Sequence, residues 1–140
     1  MAFDTQVILD GPKHHVIVLR GLATTTTGET GVIKVDRSGL TGPDGVNVPN
    51  ELVIEEISSS IQGFESVQLY WEEAGGDEVI AQLSGDNFYD FRPDGGLHKP
   101  SASSAATDGD IKLSTYSVAT EGAAIAGDTY FIKLTIRKNS

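Results

Sequence analysis

Thr129-Tyr130-Phe131-Ile132-Lys133-Leu134-Thr135-Ile136-Arg137 alternates apolar and polar residues, with Tyr130, Ile132, Leu134 and Ile136 on one parity. A period of two is the mark of a half-buried β-strand and excludes an amphipathic helix, whose apolar residues recur every three or four positions. Gly127-Asp128 just before it supplies a turn. Working back toward residue 51, the pattern recurs. Residues 110–116 carry Ile111 and Leu113 inward. Residues 78–84 set Val79, Ala81 and Leu83 against Glu78, Ile80 and Gln82, and residues 66–72 set Val67, Leu69 and Trp71 against Gln68, Tyr70 and Glu72. Residues 51–61 place Val53, Ile57 and Ile61 on one parity, with Glu56, Ser58 and Ser60 on the other. No stretch of comparable length carries a helical period. Ala74-Gly75-Gly76-Asp77 is a hairpin turn candidate that tolerates positive φ.

Upstream, residues 5–9 form a short β-prone run that Asp10-Gly11-Pro12 ends, because proline cannot continue a central strand. Residues 14–22 are apolar on both parities in their middle, which predicts a strand covered on both faces. Residues 31–36 read as another strand, and residues 23–28, with four consecutive threonines, as a loop or frayed edge. Residues 1–6 read as an N-terminal arm. Two long connections stand out: 37–50, punctuated by Gly39, Gly42, Pro43, Gly45 and Pro49, and 92–108, which includes a Ser/Ala low-complexity piece over 101–106. Eight or nine strands with long loops predict an all-β, single-domain sandwich over 1–140, of jelly-roll or Greek-key type; an up-and-down barrel would have short, regular connections. Long loops in a compact domain tend to be functional or mobile.

The chain is long enough for one core, burying about 68% of the surface exposed by its unfolded form. Twenty acidic against ten basic residues give a formal charge of −10. That repels phosphate backbones and anionic membranes, so neither nucleic acid nor a membrane is an expected partner. The opening residues lack the basic start and apolar centre of a secretory signal, which predicts synthesis in the cytoplasm. With no cysteine, neither disulfides nor thiolate metal sites are available.

Motifs for chemistry are sparse. His14 and His15 are neighbours on a strand and point to opposite faces, so they cannot share an ion, and His98 stands far off in sequence. Asp86, Asp90 and Asp94, with Asp108 and Asp110, admit calcium held by loop carboxylates or acids that cap turns, and none matches a twelve-residue calcium loop. Glu55-Glu56 and Glu72-Glu73 are consecutive acids that diverge in a strand, which argues against a glycosidase pair. No Gly-x-Ser-x-Gly elbow, phosphate-cradling loop or Cys-His arrangement is present. The expectation is no enzyme, no cofactor and no metal. Phe88-Tyr89-Asp90-Phe91 cannot bury every ring on one side if extended; either a bend collects them into the core or one side is offered to a partner. Trp71 shares its parity with Val67 and Leu69 and reads as core.

Six segments taken together resemble the capsid decoration, or cement, proteins of tailed bacteriophages. They are Val7-Ile8-Leu9-Asp10-Gly11 with the strand over 14–21; Glu55-Glu56-Ile57-Ser58-Ser59-Ser60-Ile61-Gln62-Gly63; Val67-Gln68-Leu69-Tyr70-Trp71; the Gly-Gly segment over 91–97; Gly109-Asp110-Ile111-Lys112-Leu113-Ser114-Thr115; and Gly127-Asp128-Thr129-Tyr130 running to Lys138. The resemblance spans nearly the whole chain in short motifs. It implies a β-sandwich on the outer surface of the virion head that bridges neighbouring major capsid subunits against the pressure of packaged DNA. It carries no catalytic residues. The partners it implies are the major capsid protein and the chain itself as a trimer, with a dimer as the alternative. The contacts are expected at Phe3, Asp4, Thr5 and Gln6 of the arm, at Arg37, Leu40, Val46 and Val48 of the first long loop, and at Phe88, Tyr89, Phe91 and Arg92. The rival expectation is a receptor- or glycan-binding β-sandwich module of a phage fibre or cell-surface protein.

Overall fold

The computed structural model describes residues 3–74, 76–99 and 108–139. Ten strands run through them: β1 (Phe3–Asp10), β2 (His14–Leu22), β3 (Val32–Val35), β4 (Glu51–Gln62), β5 (Ser66–Trp71), β6 (Glu78–Leu83), β7 (Gly85–Asp90), β8 (Ile111–Ser117), β9 (Thr120–Glu121) and β10 (Thr129–Asn139). Single 3-10 turns occupy Arg37–Gly39 and Arg92–Asp94. The strands form two antiparallel sheets, in the orders β1-β2-β10-β4-β7 and β3-β8-β5-β6, with β9 hung on β8.

The pairings nest. β5 pairs β6, β4 pairs β7, β3 pairs β8 and β2 pairs β10, each antiparallel. The chain is thus one long ribbon folded back on itself and rolled so that successive pairs fall in alternate sheets, which is a jelly roll. β1 is added at the edge beside β2.

The β10 alternation places Tyr130, Ile132, Leu134 and Ile136 between the sheets, each at most 2% exposed. Ile17 and Leu19 of β2, Leu69 and Trp71 of β5, Leu83 of β6 and Ile111 and Leu113 of β8 join them in the core. Burying side chains of this size contributes about 1.5–3 kcal/mol each relative to leaving them in water.

β4 departs from the expected parity. Its pairing with β10 skips a residue between Ile54 (opposite Ile136) and Glu56 (opposite Thr135), so Glu55 is a bulge. Leu52 and Ile54 face the core before it, and Ile57 and Ile61 after it. Val53, expected on the same face as Ile57, is instead fully buried outside that cluster; a Cβ on Gly96 would come within 2.3 Å of its Cγ1. The bulge also corrects the expectation that Glu55 and Glu56 diverge. Glu55 binds His14 (3.0 Å) and Arg137 (3.2 Å) while Glu56 lies 3.5 Å from Arg92, so both carboxylates find cations on the outer side of the sheet.

The arm expected over 1–6 is, from Phe3 onward, part of β1 and paired with β2; Met1 and Ala2 lie outside the described residues, as does the low-complexity piece over 101–106. Phe3 has a reason to be fixed: its ring and that of Tyr130, 6.1 Å apart, close over Gly21.

Candidate functional site

Strand direction sorts the connections between the two ends of the sandwich. The end where β10 finishes, opposite the start of β4 at Glu51, gathers the β1–β2 turn, the 36–50 loop, the β5–β6 turn and the loop from Phe91 onward. The 37–50 connection and the described parts of the 92–108 connection therefore lie at one end.

That end is built, not merely exposed. Lys138, 4% exposed, sends its Nζ to Asp10 Oδ1 (2.6 Å), the Gly11 carbonyl (2.9 Å) and the Thr41 carbonyl (2.9 Å), so one ammonium ties the β1–β2 turn to the first long loop. The bond from Lys138 is the chief reason the Asp10 carboxyl sits below the usual carboxylate range. Arg37 enters the interior: its backbone N–H donates to Asp110 Oδ1 (2.8 Å), its Nε to the Asp108 carbonyl (2.7 Å) and its Nη1 to the Pro49 carbonyl (2.9 Å). Burial, with Asp36 and Glu72 nearby, pushes the Asp110 carboxyl up to about 6. At the tip Asp44 accepts from the backbone of Val46 and Asn47 (both 2.9 Å) and from the Asn47 amide (2.7 Å). Those bonds fix the turn that holds Val46 out, 82% exposed, beside Val48 at 43%. A further apolar run lies along the free edge of β1, where Val7, Ile8 and Leu9 are each about half exposed and β2 pairs with only one side of the strand.

The expected contact residues divide into three groups. Val46 and Val48 are exposed in the first long loop and join Val7, Ile8 and Leu9 at the long-loop end, but Leu40 of the same loop packs half-buried against the core, and Arg37 is buried and holds the loop instead of presenting a contact. Phe3 is half-buried, and Asp4, Thr5 and Gln6, although exposed, run toward the other end of the sheet, where Phe3 lies opposite Gly21. The aromatic group splits between the two readings offered for it. Phe88 points outward, 62% exposed, whereas Phe91 bends back to pack on the core and stacks with Tyr89 at 6.1 Å. Arg92 is exposed and bonded to Asp90 through Nε and Nη2, both at 2.9 Å.

Sequence reasoning missed the exposure of Val7 to Leu9. An alternating or apolar strand looks the same whether it is central or at an edge; the available signal was that the run sits in the first strand, before a proline turn, where a jelly roll has an edge to fill.

The histidines do not converge. His15 is buried against Asp10 (3.2 Å), His14 binds Glu55 on the other face and His98 binds Glu51 (3.0 Å). Among the described residues no group of three or more His, Cys, Asp or Glu side chains is arranged to hold a metal ion, and no helix is long and apolar enough to cross a membrane.

The described residues also form a concavity. It lies on the outer face of the β3-β8-β5-β6 sheet, with a volume of about 530 Å³. Gln68 and Tyr70 of β5 and Lys112 and Tyr116 of β8 form its floor, and Thr30, Val79 and Glu121 stand at its rim. Tyr116 donates its hydroxyl to Gln68 Oε1 (3.1 Å), and Lys112 lies over the Tyr70 ring at 5.6 Å while bonding Asp77 (2.9 Å).

No family model matches the sequence, and no curated protein matches it. Among solved structures, a crystal structure of a cupin domain from Bordetella pertussis Tohama I is similar over 99% of this chain and 95% of that one, at 13% identity and a TM-score of 0.35. A likeness of that degree carries no argument about function.

Proposed function

We propose that this protein is a non-enzymatic component of a tailed-phage virion, made in the host cytoplasm and bound to the outer surface of the head, where it bridges neighbouring major capsid subunits. The observation that carries the reading is the long-loop end. Val46 and Val48 on a loop held by Asp44 and Arg37, and Val7, Ile8 and Leu9 on a strand edge unpaired among the described residues, give exposed apolar groups on a backbone already fixed before binding. Fixing the loop beforehand lowers the entropy lost on docking. An exposed strand edge invites a partner segment to add to the sheet, with side-chain pockets giving selectivity. A trimer of the chain on the shell fits this role, a dimer being the other arrangement. Many modest contacts repeated on a lattice add through effective concentration, so each copy needs only a small patch.

The reading is supported by the sequence resemblance and by the placement of the first long loop and the described parts of the second at one end. Sedimentation of purified protein with heads that lack it tests the assignment. Wild-type protein is expected to pellet with heads and to ignore free capsid subunits, and Val46→Asp to stay in the supernatant while remaining folded. Binding undiminished in Val46→Asp counts against the long-loop end as the contact.

A further inference from the structure

We infer that the concavity on the outer face of the β3-β8-β5-β6 sheet is a binding site for a neutral carbohydrate, a function separate from the clamp. The argument begins with its volume, about 530 Å³, which falls within the range of about 300–1,000 Å³ usual for small-molecule sites. The polar groups in it are then divided into those already engaged and those left for a ligand.

Gln68 is held in one orientation because its Oε1 accepts from the Tyr116 hydroxyl. Nothing among the described residues accepts from its Nε2, so two N–H donors remain at the floor with their carrier fixed. Lys112, the only cation lining the concavity among the described residues, is neutralised by Asp77 at 2.9 Å and Glu72 at 3.6 Å. Glu121 has no cation paired with it among the described residues, and it sits directly across the β8–β9 ladder from Tyr116. Proximity to Glu121, after burial, helps raise the Tyr116 phenol above its usual range.

The net field is therefore negative, which disfavours phosphates, sulfates and acidic sugars. What remains is a pair of fixed amide donors, one uncompensated carboxylate acceptor, the Thr30 hydroxyl, and apolar surface from the Tyr116 ring and the 61%-exposed Val79. A neutral sugar ring matches this set. Its vicinal hydroxyls both donate and accept, satisfying the carboxylate and the amide at once, and its C–H face covers an aromatic or aliphatic wall. Thr30, Tyr116 and Glu121 lie toward the end opposite the 36–50 loop, whereas Asp77 belongs to the β5–β6 turn at the long-loop end.

The test is a ¹⁵N NMR titration of the full chain with D-glucose, D-galactose, D-mannose and N-acetyl-D-glucosamine, each to about 50 mM, weak sites of this kind having millimolar affinity. N-acetylneuraminic acid is the anionic control. At least one neutral sugar is expected to give saturable shifts at the Gln68 Nε2 group and at the Lys112 and Tyr116 amides. Gln68→Ala and, independently, Glu121→Gln are expected to weaken that binding by about tenfold, the loss of one or two good hydrogen bonds. Glu121→Gln sits on an exposed two-residue strand and keeps the fold should Gln68→Ala perturb it. Absence of saturable shifts with all four sugars overturns the inference, as does an unchanged response in both variants or tighter binding of N-acetylneuraminic acid. None of these outcomes touches the head-binding reading, which rests on Val46 and the edge of β1.

Discussion

Lys138 Nζ lies 2.6 Å from Asp10 Oδ1, across 128 residues of chain, joining the last strand to the end of the first. The same nitrogen serves the Gly11 and Thr41 carbonyls, so the apolar edge of β1 and the first long loop share one anchor. Lys138→Met removes the charge and all three bonds while keeping the alkyl stem. The expected cost is about 2–3 kcal/mol at pH 7, because two carbonyls lose their donor and Asp10 loses its cation. Asp10 has a folded pKa below its unfolded value, so its part of that stability is present above about pH 4 and fades as pH falls through the folded pKa. Urea unfolding of both proteins between pH 2.5 and 7 measures this; the gap between them should narrow at the acid end.

Asp110 works in the opposite sense. Its folded pKa of about 6 lies above its unfolded value, so the folded state binds the proton more tightly and stability falls as pH rises from about 4 to about 6. Asp110→Asn keeps an oxygen to accept from the Arg37 N–H and removes the charge that Asp36 and Glu72 oppose. The variant should match wild type near pH 4 and exceed it above pH 7, by about 1–3 kcal/mol. A difference that does not change with pH would show that the carboxyl is not protonated preferentially in the fold.

Gly21 is required by its neighbours, not by its own backbone. A Cβ there would stand 2.4 Å from Tyr130 Cε2 and 2.7 Å from Phe3 Cδ1. Gly21→Ala forces the two rings apart and should cost about 1–3 kcal/mol, the usual penalty for overpacking. Phe3→Ala in the same background should recover part of it, since it clears one of the two obstacles. Thermal unfolding of the single and double variants checks the coupling.

How much of this was legible in the sequence depended on whether a residue's environment is set locally. The inward face of β10 was, since alternation over Tyr130, Ile132, Leu134 and Ile136 needs no tertiary knowledge, and Trp71 followed from its parity with Val67 and Leu69. Long connections in a sandwich pointed to a jelly roll, and the nested pairing bears that out. Glu55 was not legible as a bulge, because the extra residue is counted against β10, more than 70 positions away. Arg37 looked like a surface arginine in a glycine-rich loop and turned out buried, since the carbonyls that hold it belong to Asp108 and Pro49. The basin on the second sheet joins side chains from β5, β8 and β9 with no shared spacing, so nothing in the linear order marks it.

The head-binding proposal has the long-loop end gripping the capsid lattice. Its most direct test is the temperature at which heads release their DNA, measured with and without added protein. Heads that lack the protein should gain heat resistance when wild-type chain is added and gain none with Val46→Asp. An unchanged release temperature with saturating wild-type protein would overturn that proposal.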